Sequence, residues 1–284
     1  MKSYLRALKP YLQTLLRRVG LYKRVKASRI YDFYWRIADK RIIDDRTREV
    51  EFYRNLLKGF RNGDLVFDVG ANHGYKTEIF LRLGARVVAV EPDEVNQEAL
   101  KQKFLRYRLN RRPVVIVDKA VSDRNMVETM WIDAPGSAKN TLSQKWVETL
   151  RADDGRFGHS LDFAKQKKVE TITLEQLITT HGLPFCVKID VEGYEPSVLR
   201  GMQRPVPYLS FEVNLPEFKP EGLECVELLG RLAADGKFNY AAECQHGFVL
   251  ERWLGPREFS QVLYACAEKS IEVFWKSDVA TSRQ

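Results

Sequence analysis

Leu65-Val66-Phe67-Asp68-Val69-Gly70-Ala71-Asn72-His73-Gly74 leads directly into the segment Tyr75 to Leu83. Leu65 to Val69 is a short apolar run, the pattern of a strand buried on both faces. Gly70 and Gly74 bracket a tight turn, and Thr77 to Leu83 reads as a helix with Ile79, Phe80 and Leu83 on one side. Arg86 to Glu91 is a second buried strand that ends in an acid. The whole is a βαβ unit with a glycine turn. A carboxylate follows about 20 residues later, the spacing that sets an acid on a ribose. The glycines let backbone N–H groups approach a ligand, and Glu91 can accept from both ribose hydroxyls.

The turn departs from the dinucleotide fingerprint, which needs G-x-G-x-x-G with a pyrophosphate on a helix N-terminus. Here the pattern is Asp68-x-Gly70-x-x-x-Gly74. An acid at the strand end repels a diphosphate and attracts a cation, such as the amino group and sulfonium of S-adenosylmethionine. The pattern resembles the first motif of class I methyltransferases; taken alone it is also open to another nucleotide-binding α/β fold.

Charge and composition narrow the rest. With 284 residues and 44% hydrophobic content, the chain suits one large domain plus an extension. No uncharged apolar run reaches the roughly 18 residues a membrane helix needs, and the basic N-terminus lacks the apolar core of a secretory signal. Cys186, Cys225, Cys244 and Cys266 are scattered, without metal-ligand spacing, and read as reduced thiols of a cytoplasmic protein. Met1 to Arg29 holds nine of the 46 bases and no acid, which leaves 37 bases against 38 acids elsewhere. Within it, Tyr4, Leu5, Leu8, Leu12, Leu15, Leu16 and Val19 recur at helical spacing, interrupted at Pro10. Such a helix packs on its own domain or on a second copy in a homo-oligomer; alternatively it makes peripheral contact with an anionic inner-membrane surface or an acidic acceptor.

Ile30 to Phe60, rich in aromatics, reads as two further helices, so residues 1–62 form a helical extension, 63–276 the main domain and 277–284 a tail. After Glu91 come Pro92 and a helix from about Glu94 to Arg108, then a third buried strand, Val114 to Val117. Asp118 follows at the strand end, where this fold meets an adenine ring, and is the expected acceptor from the adenine amino group. Met126 to Lys168 reads as irregular, with a short helix at Leu142 to Leu150, and suits a lid or acceptor-binding insert. Phe185 begins a strand, Cys186 to Val191, that ends in Lys188-x-Asp190-x-Glu192 before Gly193, and its alternate positions bring three ionisable groups to one side. Such a group at one strand end must be solvated, paired or used. Tyr208 to Asn214 is a fifth strand with Ser210, Glu212 and Asn214 on one face, and Phe238 to Glu243 and Ile271 to Lys276 close the sheet.

Together, Phe67 to Thr77, Val90-Glu91-Pro92, Ala120 to Asp123, Thr171 to Leu174 and Val187 to Glu195 with Val198 to Gly201 resemble the FkbM family of methyltransferases. The likeness runs from about Asp64 to Asn214, and the Lys188-Asp190-Glu192-Gly193 stretch is its specific part. The resemblance implies a Rossmann-like α/β fold, with a seven-stranded, mostly parallel sheet covered by helices on both faces. It implies S-adenosylmethionine as methyl donor, O-methylation, and acceptors that are often sugar hydroxyls of glycans or glycosylated metabolites. Carried over by motif, Asp68, Gly70, Asn72, Gly74 and Glu91 bind the cofactor, with Ala71, Thr77 and Pro92 in the same stretches, and Asp190 and Glu192 line the acceptor side.

Methyl transfer needs an acceptor oxygen held at about 3–3.5 Å from the methyl carbon and a destination for its proton. Asp190 is the expected base, with Glu192 or Lys188 setting its pKa, and His73 is the next candidate ahead of His159, His181 and His246. A divalent cation on Asp190, Glu192 and Glu212 would serve as well, since oxygen ligands suit magnesium or calcium. Two other classes stay in view: a nicotinamide-dependent oxidoreductase, disfavoured by the missing third glycine, and a non-catalytic cofactor-binding module. Nucleic acid is a poor fit as substrate, because the chain lacks Asn/Asp-Pro-Pro-Tyr/Phe and a Pro-Cys nucleophile.

Overall fold

The computed structural model describes residues 40–105, 107, 114–152, 161 and 163–278. The helix expected within residues 1–29, the tail from residue 279 and His159 lie outside the described residues. In chain order the elements are α1 (Lys40–Leu56), β1 (Leu65–Val69), α2 (Tyr75–Leu83), β2 (Arg86–Val90), α3 (Glu94–Lys103), β3 (Val114–Val117), β4 (Ala120–Val121) and β5 (Val127–Ile132). They continue with α4 (Gln144–Ala152), β6 (Lys165–Ile172), α5 (Leu174–His181), β7 (Cys186–Ile189), α6 (Glu195–Arg200) and β8 (Tyr208–Asn214). The last are α7 (Lys219–Leu232), β9 (Lys237–Ala241), α8 (Pro256–Ala265) and β10 (Ser270–Lys276).

Seven strands form one sheet in the order β3-β2-β1-β7-β8-β10-β9. β3, β2, β1, β7 and β8 are mutually parallel, and β10 runs antiparallel to both β8 and β9. The chain leaves β1 toward β2 and β3, then returns to place β7 on the other side of β1. That reversal is the switch point at which open α/β sheets bind ligands, outside the carboxyl ends of their strands.

The sheet is apolar because it is covered on both faces. Phe67, Val69, Val88, Val187, Ile189, Leu209 and Phe211 pack in one cluster with residues of α5, α6, α7 and α8. Val66, Val87, Ala89 and Cys186 face the opposite way and pack with Tyr53 of α1, Ile79 and Phe80 of α2 and Leu100 of α3. Alternation along each strand sends Asp68 and Lys188 to this second face. The two are direct neighbours in the β1/β7 register, and Lys188 is in turn beside Ser210. A stripe of polar side chains therefore crosses an otherwise apolar sheet.

The segment expected to be irregular, Met126 to Lys168, contains β5 and the first half of β6, whose second half is the short strand expected at Val169 to Thr173; β5 and β6 pair antiparallel from Val127↔Glu170 to Ile132↔Lys165. With β4 beside β6 they make a separate three-stranded sheet. Only one face of this sheet is dry: Met130, Ile132 and Val169 are buried with Ala120, while Val127, Glu170 and most of the lysines of β6 face outward. Half-exposed strands with so few apolar positions carry little strand signal. α3 is unbroken to Lys103, and the end expected at Arg108 lies outside the described residues. One expected element is shifted: α7 begins at Lys219, not at Glu224.

Candidate functional site

Three backbone bonds build the site at the carboxyl edge. Gly70 N and Ala71 N donate to Val90 O, both at 3.0 Å, and Asp190 N donates to Val69 O at 2.9 Å. The ends of β1, β2 and β7 are thereby drawn together. Gly70 has φ 79°, and a Cβ at that position would collide with the Asp190 carbonyl oxygen, so the close approach of the two strand ends demands glycine. Between them opens a cleft lined among others by Gly70, Asn72, Glu91, Pro92, Asp190 and Glu192.

At one end of the cleft stands Glu91. Its Oε2 accepts from Asn72 N at 2.7 Å, and its Oε1 from Asp93 N at 2.9 Å. Burial pushes its pKa up to about 7, against those two backbone donors. Asn72 adopts φ 46°, a left-handed turn that asparagine tolerates better than most residues and that aims its N–H at the acid. Asp93 next caps α3, accepting from Val95 N at 2.8 Å. Its other oxygen takes Gly136 N at 3.1 Å and Asn140 Nδ2 at 2.9 Å, which fastens the loop after β5 over this end.

At the other end Asp190, Glu192 and Glu212 each bring a carboxylate oxygen within 4.8 Å of the others. Burial and the facing Asp190 raise Glu212 to about 8, and burial with Asp190 and Glu212 raises Glu192 well above its usual range. The turn that carries Asp190 and Glu192 is strained, since Glu192 has φ 55°, a region that non-glycine residues avoid. Thr141 holds it, donating its hydroxyl to Glu192 O at 2.8 Å, and Glu195 accepts from Val191 N at 3.1 Å. Tyr194, which also lines the cleft, donates to Glu128 Oε2 at 2.7 Å, and Ser122 donates to the other oxygen of Glu128 at 2.7 Å. The small sheet is thus tied to the acidic turn.

Below the cleft lies a buried network. Lys188, 1% exposed, places Nζ 3.6 Å from Asp190 Oδ2 and 3.8 Å from Glu272 Oε1. Glu272 of β10 also accepts from Lys76 Nζ at 3.1 Å and from Tyr53 OH at 2.8 Å. Lys76 pairs in turn with Glu49 of α1. Burial alone would discharge both lysines, yet Asp190 and Glu272 hold Lys188 above its ordinary pKa, and Glu272 and Glu49 do the same for Lys76. Against its own burial, the two ammonium groups and Tyr53 hold Glu272 well below the carboxylate range.

Most residues expected at the site gather here, in differing positions. Gly70, Asn72, Glu91, Pro92, Asp190 and Glu192 line the cleft. Asp68 is buried beneath it and accepts from the Thr77 hydroxyl, with a pKa raised by burial to about 6. Ala71 and Gly74 belong to the turn behind, where Gly74 N donates to Ala71 O at 2.7 Å. Lys188 lies under Asp190 rather than beside the cleft. Asp118 is exposed, just past β3, and its neighbours Lys119, Ala120 and Val121 line the cleft instead. His73 is also exposed and outside the lining, its ring beside the Asn72 side chain. Lys76, Glu272, Tyr53 and Asn96 were not expected at the site. Glu272 carries one sequence signal, an acid between Ile271 and Val273 on an otherwise apolar strand; Asn96 carries none beyond its helix.

A parallel sheet reversed at β1/β7, one antiparallel strand near the far edge and an acid at the end of β2 together define a class I methyltransferase. The methyltransferase FkbM domain matches residues 68–238, more than half of the 284 residues. The chain belongs to the FkbM methyltransferase family and is an S-adenosylmethionine-dependent methyltransferase. No curated protein matches it significantly.

Among solved structures, the C-terminal domain of precorrin-6Y C5,15-methyltransferase from Rhodobacter capsulatus is 14% identical, with a TM-score of 0.39, covering 78% of this chain and 84% of its own. A TehB-like S-adenosylmethionine-dependent methyltransferase from Corynebacterium glutamicum is 9% identical at TM-score 0.40, covering 81% and 87%. An S-adenosylmethionine-dependent O-methyltransferase from Thermotoga maritima is 11% identical at TM-score 0.39, covering 81% and 64%. These likenesses are distant, and the fold assignment rests on strand order.

The cleft has the chemistry that S-adenosylmethionine requires. Glu91 is a buried carboxylate on the cleft wall, and Asn96, 1% exposed in the same lining, keeps its Oδ1 without a hydrogen-bond partner. Among the described residues no helix is long and apolar enough to cross a membrane.

Proposed function

We propose that the protein transfers a methyl group to a hydroxyl of a sugar, glycan or glycosylated metabolite, with Asp190 as the base. The observation that carries this reading is the convergence of Asp190, Glu192 and Glu212 within 4.8 Å at the end of the cleft away from Glu91. When bound, S-adenosylmethionine supplies an electrophilic methyl carbon. Glu91 and the backbone of the Gly70 turn hold the nucleoside. Burial raises Glu192 and Glu212 above the usual carboxylate range and favours their protonated forms, which can donate to or accept from acceptor hydroxyls, as the recognition of a polyol requires. Asp190 is open to the cleft, with 35% of its side chain exposed against 2% for Lys188. It takes the acceptor proton at its carboxylate, and the Lys188 ammonium fixes it from below.

The test is to incubate the protein with methyl-labelled S-adenosylmethionine and fractions of glycans, glycolipids and free glycosides. Label in a sugar O-methyl ether supports the reading; label only in protein, nucleic acid or a non-glycosylated hydroxyl removes the sugar. The same three carboxylates favour a second reading, a divalent cation that lowers the hydroxyl pKa. A chelator that abolishes transfer, with magnesium or calcium restoring it, establishes that reading; full activity after exhaustive chelation removes it.

A further inference from the structure

Among the buried polar groups of the described residues, one unpaired atom belongs to a side chain of the cleft wall. Asn96, on the first turn of α3, is 1% exposed, lines the cleft beside Glu91, and leaves Oδ1 without a hydrogen-bond partner. Its side chain lies against Glu91 and helps to hold down the acid's pKa. A carboxylate can only accept, so the amide –NH₂ is the end turned toward Glu91, and the carbonyl oxygen is the end left over. A buried acceptor without a donor is costly and uncommon in native proteins. Here a glycine packs over it. Gly136, at φ 75°, lies over the amide, and a Cβ there would come to 3.1 Å from Asn96 Oδ1. The bond from Gly136 N to Asp93 holds that glycine in place.

We infer that Asn96 Oδ1 is a second acceptor for the ribose of the nucleoside, taking a hydrogen from one hydroxyl of the cis-diol next to Glu91. The two side chains divide the diol: a carboxylate already committed to two backbone N–H groups takes one hydroxyl, and an amide that Glu91 itself orients takes the other. Asn96 is a binding residue in this scheme and takes no part in moving the methyl group or the proton. The inference rests on the reading of the cleft as an S-adenosylmethionine site.

The experiment is titration calorimetry with S-adenosylhomocysteine and its 2′-deoxy and 3′-deoxy forms, on the wild type and on Asn96→Leu, which keeps the volume and removes the oxygen. Asn96→Ala repeats the comparison if Asn96→Leu does not fold. Wild type is expected to bind S-adenosylhomocysteine about 5–20-fold more tightly than the variant, the net worth of one hydrogen bond. With one of the two deoxy ligands, wild type and variant should bind within about twofold of each other, because the contact is already gone; such coupling between two deletions marks a direct interaction. Comparing ligands on one folded variant does not depend on how far the substitution destabilises the chain. Equal S-adenosylhomocysteine affinity for wild type and variant overturns the inference and leaves the cofactor site standing, as does the same loss for all three ligands. Failure of the wild type to bind S-adenosylhomocysteine overturns the cofactor site, and the inference falls with it.

Discussion

Glu91 is a buried carboxyl, the Asp190–Glu192–Glu212 group is half-buried, and the two borders of the cleft they mark are stabilised in different ways. Glu91 leans on main-chain donors, Asn72 N and Asp93 N, that belong to the turns ending β1 and β2. Wherever the turns form, those donors are present. The three acids at the other end crowd one another, and what offsets them is a side-chain cation, Lys188, anchored by Glu272 from β10. The Glu91 end is therefore built by local chain geometry and suits the nucleoside proposed for it, a ligand that is the same in every reaction. The end proposed for the acceptor is built by tertiary contacts between strands far apart in sequence. Such an end can be retuned by substitution without disturbing the cofactor.

The largest effect is expected at Asp190. Asp190→Asn keeps the shape and removes the base, so turnover with the true acceptor should fall by about 10²–10⁴-fold, while S-adenosylmethionine affinity moves by less than about 1 kcal/mol. Kinetics and calorimetry on the same preparation read both. If the variant keeps near-full turnover, the ends do not differ as described and His73 becomes the next residue to replace.

Lys188→Met sharpens the comparison on the side of stability. It leaves Asp190 without its buried cation and Glu272 with Lys76 alone, and breaking a buried pair by removing one partner costs about 3–5 kcal/mol. Urea unfolding should show that loss, and Lys188→Met combined with Glu272→Leu should recover part of it. No loss in the single variant would mean that the network does not hold the acidic end.

Glu91→Ala should weaken S-adenosylhomocysteine binding by about 1.5–3 kcal/mol, the value of hydrogen bonds to a charged acceptor, with little effect on acceptor affinity. The smallest effect is in pH. Glu91 has its pKa raised from 4.5 to about 7 by burial, so the free protein holds that proton below pH 7. The ribose hydroxyls are donors and favour the carboxylate. Cofactor affinity should therefore rise about tenfold from pH 6 to pH 8, and Glu91→Gln should flatten the slope. An unchanged slope in Glu91→Gln would assign the titration to another group, with Asp68, at about 6, the first to test.

Much of this is legible in residue order alone. Strands buried on both faces must be short apolar runs, so β1, β2, β3, β7 and β8 stand out with their ends nearly correct. An acid or glycine that closes such a run falls at the sheet edge, which is why residue order alone singles out Asp190 and Glu91. The alternation expected to align Lys188, Asp190 and Glu192 is not what groups them, because β7 ends at Ile189 and Glu192 sits in a left-handed turn. The small sheet is hidden in the sequence because its exposed strands have no continuous apolar face.

What the sequence by itself determined is the local chemistry: the glycine turn, the acids at strand ends, and the βαβ order that makes a switch point. These depend on neighbours a few residues apart, where periodicity and backbone sterics act. What only the tertiary structure decided is which buried charges meet. Tyr53 and Glu272 are 219 positions apart, Lys76 and Glu272 are 196 apart, and Glu49, on α1 ahead of the first strand, reaches the same network through Lys76. A charge can be buried only where a partner is supplied, and local order does not say which distant strand or helix supplies it. That is settled when the sheet closes and β10 inserts between β8 and β9.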